Sequence, residues 1–317
     1  MAGAGNFACL SRGLAEVAMI LTVASGKGGT GKTTVALNLA LSLASSFSTE
    51  VQLLDCDVEE PNTHIFLKPK IEAVKPAQTL VPKVNEELCD YCGSCASACE
   101  YNAIVVLPRK VLVFPELCHG CGLCRLVCQQ QRAAISEEPR EIGVVKKGRS
   151  RDGRIELVYG VLNIGEVRAT PLVDRVKEEL NPKKTVIIDA PPGTACPVIA
   201  AVQNSDYCLL VTEPTPFGLY DLRLAVEVLR LLKIRFGVVV NKAGLGDRGI
   251  YDYCKAEGIP ILLEIPYDRR IARCYSEGVP FVALDAKAGW VQEWRERFAG
   301  LGELIKSRYL TGINKVV

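Results

Sequence analysis

Residues 19–34 read MILTVASGKGGTGKTT, and this stretch decides the architecture. Residues 19–25 form an apolar run of the length and type expected of a buried parallel strand. Glycines then crowd the chain at 26, 28, 29 and 31, and beyond them Val35, Leu39, Leu43 and Phe47 fall at helical spacing. A strand, a glycine turn and a helix in that order make a phosphate cradle. Gly26, Gly28, Gly29 and Gly31, with Thr30 and Thr34, let backbone N–H groups wrap phosphate oxygens without obstruction. Lys32 can reach the β and γ phosphates, and the Thr33 hydroxyl can bind Mg²⁺.

The strand–helix rhythm resumes far downstream. Strands are expected at about 185–190, 207–212, 235–241 and 260–264, with helices near 195–204, 218–233 and 248–257. Such alternation predicts a doubly wound, mostly parallel α/β sheet covered by helices on both faces. At the C-terminus, Trp290, Trp294, Phe298, Leu301 and Ile305 lie at the spacing of a helix packed on the domain. Lys306, Arg308 and Lys315 nearby leave a membrane-surface helix as the competing reading.

Between residues 85 and 139 the rhythm stops, and two units take its place, CDYCGSCASAC from Cys89 and CHGCGLCRLVC from Cys118. Of the chain's 14 cysteines, eight lie in this internal repeat, which reads as a small inserted α+β module over 85–140. Each unit has the x2, x2, x3 spacing of a bacterial ferredoxin run. Three cysteines of a tight loop ligate one cubane, and the fourth leaves on a helix toward the other. The expected ligand sets for two [4Fe-4S] clusters are Cys89, Cys92, Cys95 and Cys128, and Cys118, Cys121, Cys124 and Cys99. Glu100 and Gln129 stand where such runs usually carry proline. Zinc would instead favour paired CxxC knuckles. His119, between two ligands, reads as tuning or solvent-facing. Residues 141–160, with the basic run KKGRSRDGR, read as a hairpin back to the sheet, the charges forming a solvated turn or a docking patch for an acidic partner.

With 38 basic and 36 acidic residues the formal charge is +2, which supplies no field to recruit nucleic acid or acidic membrane. No apolar run approaches a bilayer span, and residues 1–18 lack the features of a secretory signal, so a cytoplasmic protein is expected, with neither nucleic acid nor membrane as partner. Residues 1–18, ahead of Met19, read as an extension or as an ordinary N-terminal helix.

Two acidic segments complete the hydrolytic machinery. LLDCDVEEPN follows a second strand, and VIIDAPPGT is an apolar strand ending in an acid. Asp189 is placed to hold Mg²⁺ through its water shell and Asp57 to orient the attacking water or take its proton, while Asp55 reads as structural.

Lys27, five residues before Lys32, makes this a deviant phosphate loop that resembles the ParA/MinD superfamily, which includes nitrogenase iron protein. The resemblance covers residues 19–310 outside the insert. It implies that two subunits sandwich ATP, that Lys27 reaches the partner subunit's nucleotide, and that ATP drives formation of a homodimer or of a heterodimer with a similar ATPase. It likewise implies adenine contact by Asn241, within VVVNKAG, and a base border at Pro266–Asp268. The ATPase domain would comprise residues 19–84 and 141–317. Cys196, seven residues after Asp189, resembles a cluster-ligating cysteine of nitrogenase iron protein. The complete pattern resembles MinD-superfamily ATPases with an inserted ferredoxin domain.

Three functions fit. The first is an ATPase whose dimer rearrangement gates electron transfer to a redox partner protein. The second is an iron–sulfur cluster carrier like the Mrp/Nbp35 ATPases, although no CxxC lies outside the insert and Cys254 and Cys274 are twenty residues apart. The third is a MinD-like positioning ATPase with the clusters as redox sensors.

Overall fold

The computed structural model describes residues 19–46, 50–129, 133–285 and 288–311. The elements in chain order are β1 (Ile20–Ala24), α1 (Lys32–Ser46), β2 (Val51–Asp55), α2 (Thr63–Leu67), β3 (Lys70–Val84), α3 (Ser94–Ser97), β4 (Ile104–Leu107), β5 (Lys110–Val113) and α4 (Leu123–Gln129). After these come β6 (Ile135–Arg149), β7 (Ile155–Leu162), α5 (Thr170–Lys177), β8 (Thr185–Asp189), α6 (Cys196–Val202), β9 (Tyr207–Thr212), α7 (Pro216–Leu231), β10 (Phe236–Ala243), α8 (Gly249–Ala256), β11 (Ile261–Pro266), α9 (Arg269–Ser276) and α10 (Gly289–Thr311). Phe47, the early residues 1–18 and Lys315 lie outside the described residues.

The chain divides into two compact units. The first holds the described residues up to Val74, Val145–Val161 and those from Val173 onward. Its sheet follows the order β11-β10-β9-β1-β8-β2-β7-β6-β3. From β11 through β7 every neighbouring pair is parallel. The order reverses on either side of β1: β8 and β2 lie to one side, β9, β10 and β11 to the other. Brought to one end of the sheet, the strand termini around such a switch point form a crevice. β1, β2, β8 and β9 are buried along nearly their whole length, which accounts for their continuous apolar sequences.

Under one face of the sheet, Val35, Leu39 and Leu43 of α1 join Trp294, Phe298, Leu301 and Ile305 of α10 in a single core. The C-terminal stripe therefore packs inward, and Lys306 is itself buried, as expected of a helix docked on its domain rather than on a membrane surface. Among the described residues no helix is long and apolar enough to cross a membrane.

The second unit comprises Lys75–Val144 and Leu162–Leu172, wider than the span 85–140 expected from the cysteines. The difference has a physical source. The strands β3 and β6 are each 15 residues long and continue well past the cysteine loops. Residues 162–172 join the unit through polar bonds: Asn163 N donates to the Ile142 carbonyl at 2.9 Å, and Arg168 donates to the Cys118 carbonyl. The basic run is likewise not all turn. Lys146–Arg149 end β6, and only residues 150–154 turn, braced by the Ser150 hydroxyl, which donates to Asp152 at 2.6 Å and accepts from Ile155 N at 3.0 Å.

Candidate functional site

β1 ends at Ala24, and the chain turns through Ser25–Gly31 into α1, whose first residue is Lys32. Gly31 makes this turn possible. Its φ is +97°, and a Cβ there would stand 2.3 Å from Asn241 Nδ2. The Asn241 amide instead donates to the Thr30 carbonyl at 2.8 Å and accepts from Lys242 N at 2.9 Å, tying the end of β10 to the loop.

A cavity of about 430 Å³ opens over the loop. It gathers Gly28, Gly29, Gly31, Lys32, Thr33, Thr34, Asp57, Asn241 and Pro266, all singled out from the sequence. Its far wall is Tyr267, Asp268, Ile271, Ala272 and Tyr275, and Glu60, Asn62, Pro192 and Lys242 complete it. Tyr275, Asn62 and Lys242 were not singled out. The one signal for Tyr275 is its i, i+4 spacing from Ile271 on α9.

The register of β8 against β2 sets Asp189 beside Asp55 at the strand ends. Asp189 is buried, and neither carboxylate oxygen has a hydrogen-bond partner. Burial pushes its carboxyl well above the usual range and Asp55 pushes it further; the nearby Thr33 hydroxyl and the Lys32 ammonium oppose this. A buried carboxylate without donors is costly, and a cation at its face removes the cost. Thr33, also buried, lies in the first turn of α1. These two residues fit a Mg²⁺ ion.

Asp55 has the structural part. Its carboxylate accepts from Asp57 N, Asn62 N and Thr63 N at 3.1 Å each and from the Thr63 hydroxyl at 2.7 Å, shaping the loop that carries Asp57. Removing four bonds to one buried charge orphans the donors, so Asp55→Ala is expected to lower stability by about 3 kcal/mol. A urea titration that moves by less than a third of this would contradict the assignment.

Gly26, Lys27 and Thr30 do not line the cavity; they border a separate hollow with Asp221 and Gly218. Lys27 Nζ pairs with Glu213 at 2.7 Å, and Lys242 reaches the same carboxylate at 2.8 Å. Glu213, directly after β9, was not singled out from the sequence.

The matching model is the CobQ/CobB/MinD/ParA nucleotide binding domain, over residues 21–281. The chain belongs to this family. An uncharacterized protein of Methanocaldococcus jannaschii is 30% identical across 87% of this chain and 96% of its own length. An iron-sulfur cluster carrier protein of the same organism is 22% identical, covering 84% of this chain and 79% of the carrier. Among solved structures, the septum site-determining protein MinD complexed with Mg-ADP from Pyrococcus horikoshii superposes with a TM-score of 0.55 at 21% identity, covering 93% of this chain and 98% of that one. At that identity the superposition speaks for the fold. The mostly parallel sheet and phosphate loop are thus those of a MinD/ParA-type nucleotide-binding domain.

The cysteine repeat lies in the second unit. Its eight cysteines line two hollows, one bounded by Cys89, Cys92, Cys95 and Cys128, the other by Cys99, Cys118, Cys121 and Cys124. The loops around them are built in duplicate. Positive φ recurs at Tyr91 and Gly120, Gly93 and Gly122, and Asn102 and Ala133. Backbone N–H groups point at matched sulfurs: Tyr91 to Cys89 at 3.4 Å, Gly120 to Cys118 at 3.4 Å, Ala103 to Cys99 at 3.3 Å and Ala134 to Cys128 at 3.2 Å. Such donors stabilise thiolate. Among the described residues no group of three or more His, Cys, Asp or Glu side chains converges closely enough to hold a single metal ion. Sulfurs set around a hollow suit a polynuclear cluster better than tetrahedral zinc. Outside the module, Cys56, Cys208, Cys254 and Cys274 are buried and Cys196 is exposed at the start of α6, while Cys9 lies outside the described residues.

Proposed function

We propose that the chain is a Mg²⁺-dependent ATPase that carries two [4Fe-4S] clusters and uses nucleotide-driven pairing of two subunits to gate electron transfer through them. The observation that carries this reading is the crossing of the cysteine sets. Each hollow takes three cysteines from one repeat and the fourth from the other, the arrangement by which two cubanes are held close enough to exchange single electrons.

ATP would lie in the cavity with its phosphates on the loop and Lys32, and Mg²⁺ on Thr33 and Asp189. Asp57 stands at the same end and orients the attacking water. Burial and the Asp55 charge push its carboxyl up to about 6 against the pull of Lys32. The carboxylate needed as a base is then lost as pH falls through that value. We expect kcat/KM for hydrolysis to drop about tenfold from pH 7 to pH 5, and Asp57→Asn to be slow and flat over the same range. A wild-type profile flat to pH 5 would remove Asp57 from this role. Asn241 and Pro266 border the adenine end, the asparagine acting chiefly by fixing the loop. Lys27 is drawn off its own cavity by Glu213, where it can be released to a partner subunit's nucleotide.

Cluster carriage is the second reading, and similarity speaks for it more directly than for electron transfer: the carrier protein of M. jannaschii and a cytosolic Fe-S cluster assembly factor homolog of Brugia malayi, 24% identical over 81% of this chain, both bear such names. Against it stand Cys254 and Cys274, both buried on separate helices, which offer no exposed pair for a transferable cluster. Anaerobic iron quantitation and electron paramagnetic resonance, before and after incubation with MgATP and an apo-ferredoxin, separate the two. About eight retained irons per chain with two interacting centres that respond to MgATP support gated electron transfer. MgATP-dependent loss of iron to the apo-protein establishes carriage instead.

A further inference from the structure

In the sheet β9 lies between β1 and β10, and Glu213 follows its last residue. One carboxylate there holds two ammonium groups that come from the neighbouring strands. Lys27, in the loop after β1, meets Oε1 at 2.7 Å, and Lys242, late in β10, donates to Oε2 at 2.8 Å. Lys242 lines the nucleotide cavity, whereas Lys27 borders the separate hollow. The backbone under the carboxylate is fixed. The Glu213 carbonyl accepts from Thr215 N at 2.7 Å, and a Cβ at Gly218 would stand 2.1 Å from that same oxygen, so α7 starts directly against the Glu213 peptide. Thr215 caps the helix by accepting from Gly218 N at 3.0 Å. The two lysines, by contrast, reach Glu213 on long flexible stems. Burial opposes the Glu213 charge, but Lys242 and Lys27 together outweigh it and hold the carboxyl below its usual range.

Two like charges on one carboxylate compete. Each ammonium repels the other and takes part of the attraction, so each loosens its neighbour's hold. Resting on the paired-subunit reading above, we propose that Glu213 is a latch that keeps Lys27 on its own chain until a second subunit's nucleotide displaces it, and that Lys242, by sharing the carboxylate, sets how firmly the latch holds. Glu213 does not line the cavity; it acts through Lys27 and is a positioning residue. The affinity of one subunit for the other is then lowered by the fraction of chains whose Lys27 has left Glu213, counted once for each subunit.

The test is sedimentation velocity of the full chain over a series of protein concentrations, with Mg²⁺ and the non-hydrolysable analogue AMPPNP at a level that saturates each variant. Glu213→Gln should lower the dimer dissociation constant about tenfold, and Glu213→Asp, whose shorter arm cannot span both ammoniums, by less. Lys242→Met should raise the constant, because Glu213 then closes on Lys27 alone. In a Lys27→Ala background Glu213→Gln should change nothing, an outcome that a merely structural role would not produce. An unchanged or raised constant in Glu213→Gln overturns the proposal. So does a Lys242→Met constant that fails to rise, or a fall in the Lys27→Ala background as large as in wild type. If Glu213→Gln loses its fold by circular dichroism, Glu213→Asp decides by the same criteria. A wild type that stays monomeric at every concentration fails the paired-subunit reading itself, and the latch with it, before any variant is made.

Discussion

Lys32→Ala should reduce ATP hydrolysis by a factor on the order of 10² to 10³ while leaving the protein folded. The ammonium is buried at the mouth of α1, and its charge pulls down the carboxyls of both Asp57 and Asp189. It therefore sits within electrostatic reach of both acids that flank the phosphate end. Losing one preorganised donor to developing phosphate charge costs a factor of that size. Alanine is the best helix former, so the first turn of α1 has no reason to fray. Steady-state hydrolysis with circular dichroism as the folding control checks this. Lys27→Ala supplies the contrast: its side chain is held by Glu213 away from the cavity, so nucleotide binding to one subunit should persist while hydrolysis falls. Residual hydrolysis above a tenth of wild type in Lys32→Ala would move the reaction out of this cavity.

Anaerobic chelation of iron should unfold the second unit and spare the first. The unit has about eighty residues, but among the described residues its buried apolar groups are few and mostly small: Cys95, Ile104, Val111 and Ile135 in one cluster, Val81, Ala103 and Cys118 in another, and Ala77, Ala134, Ile142, Ala169 and Leu172 besides. A core that small, part of it cysteine, cannot offset chain entropy alone, and in domains of this size a metal centre supplies the difference. Hydrogen exchange is the direct measurement. Amides between 85 and 134 should exchange on the order of 100 times faster after chelation, about 2.7 kcal/mol of local stability, with β1, β8 and β9 unchanged. Retained protection in the module would mean that it folds without a cluster.

Much of this was legible in the sequence. Apolar runs at 19–25, about 185–190 and 207–212 read as strands, and β1, β8 and β9 lie there. Glycine spacing and Lys32 mark the expected phosphate end, because a backbone wrapped around an anion tolerates few other residues. The doubling of the cysteine run points to a module over 85–140, and the compact unit that holds these cysteines is wider because β3 and β6 run on past the cysteine loops. The partner of Lys27 was not legible, because Glu213 lies at the end of β9 and meets Lys27 only when β9 pairs with β1. Arg168 was missed for the same reason, being 50 residues from Cys118. Asn241 stood out as a contact for the base, and its first partner proved to be the Thr30 carbonyl.

What the sequence alone determined is whatever depends on local spacing: the strand–loop–helix cradle, the helical stripe of α10, and the x2, x2, x3 loops, since each is written in residues within about a dozen positions of one another. What only the tertiary structure decided is which charges face each other. Asp55 beside Asp189, Glu213 on Lys27, and Arg168 behind Cys118 are set by strand order and chain return. Electrostatic pairing acts through space, with a strength set by burial, and neither quantity is carried by any short stretch of sequence.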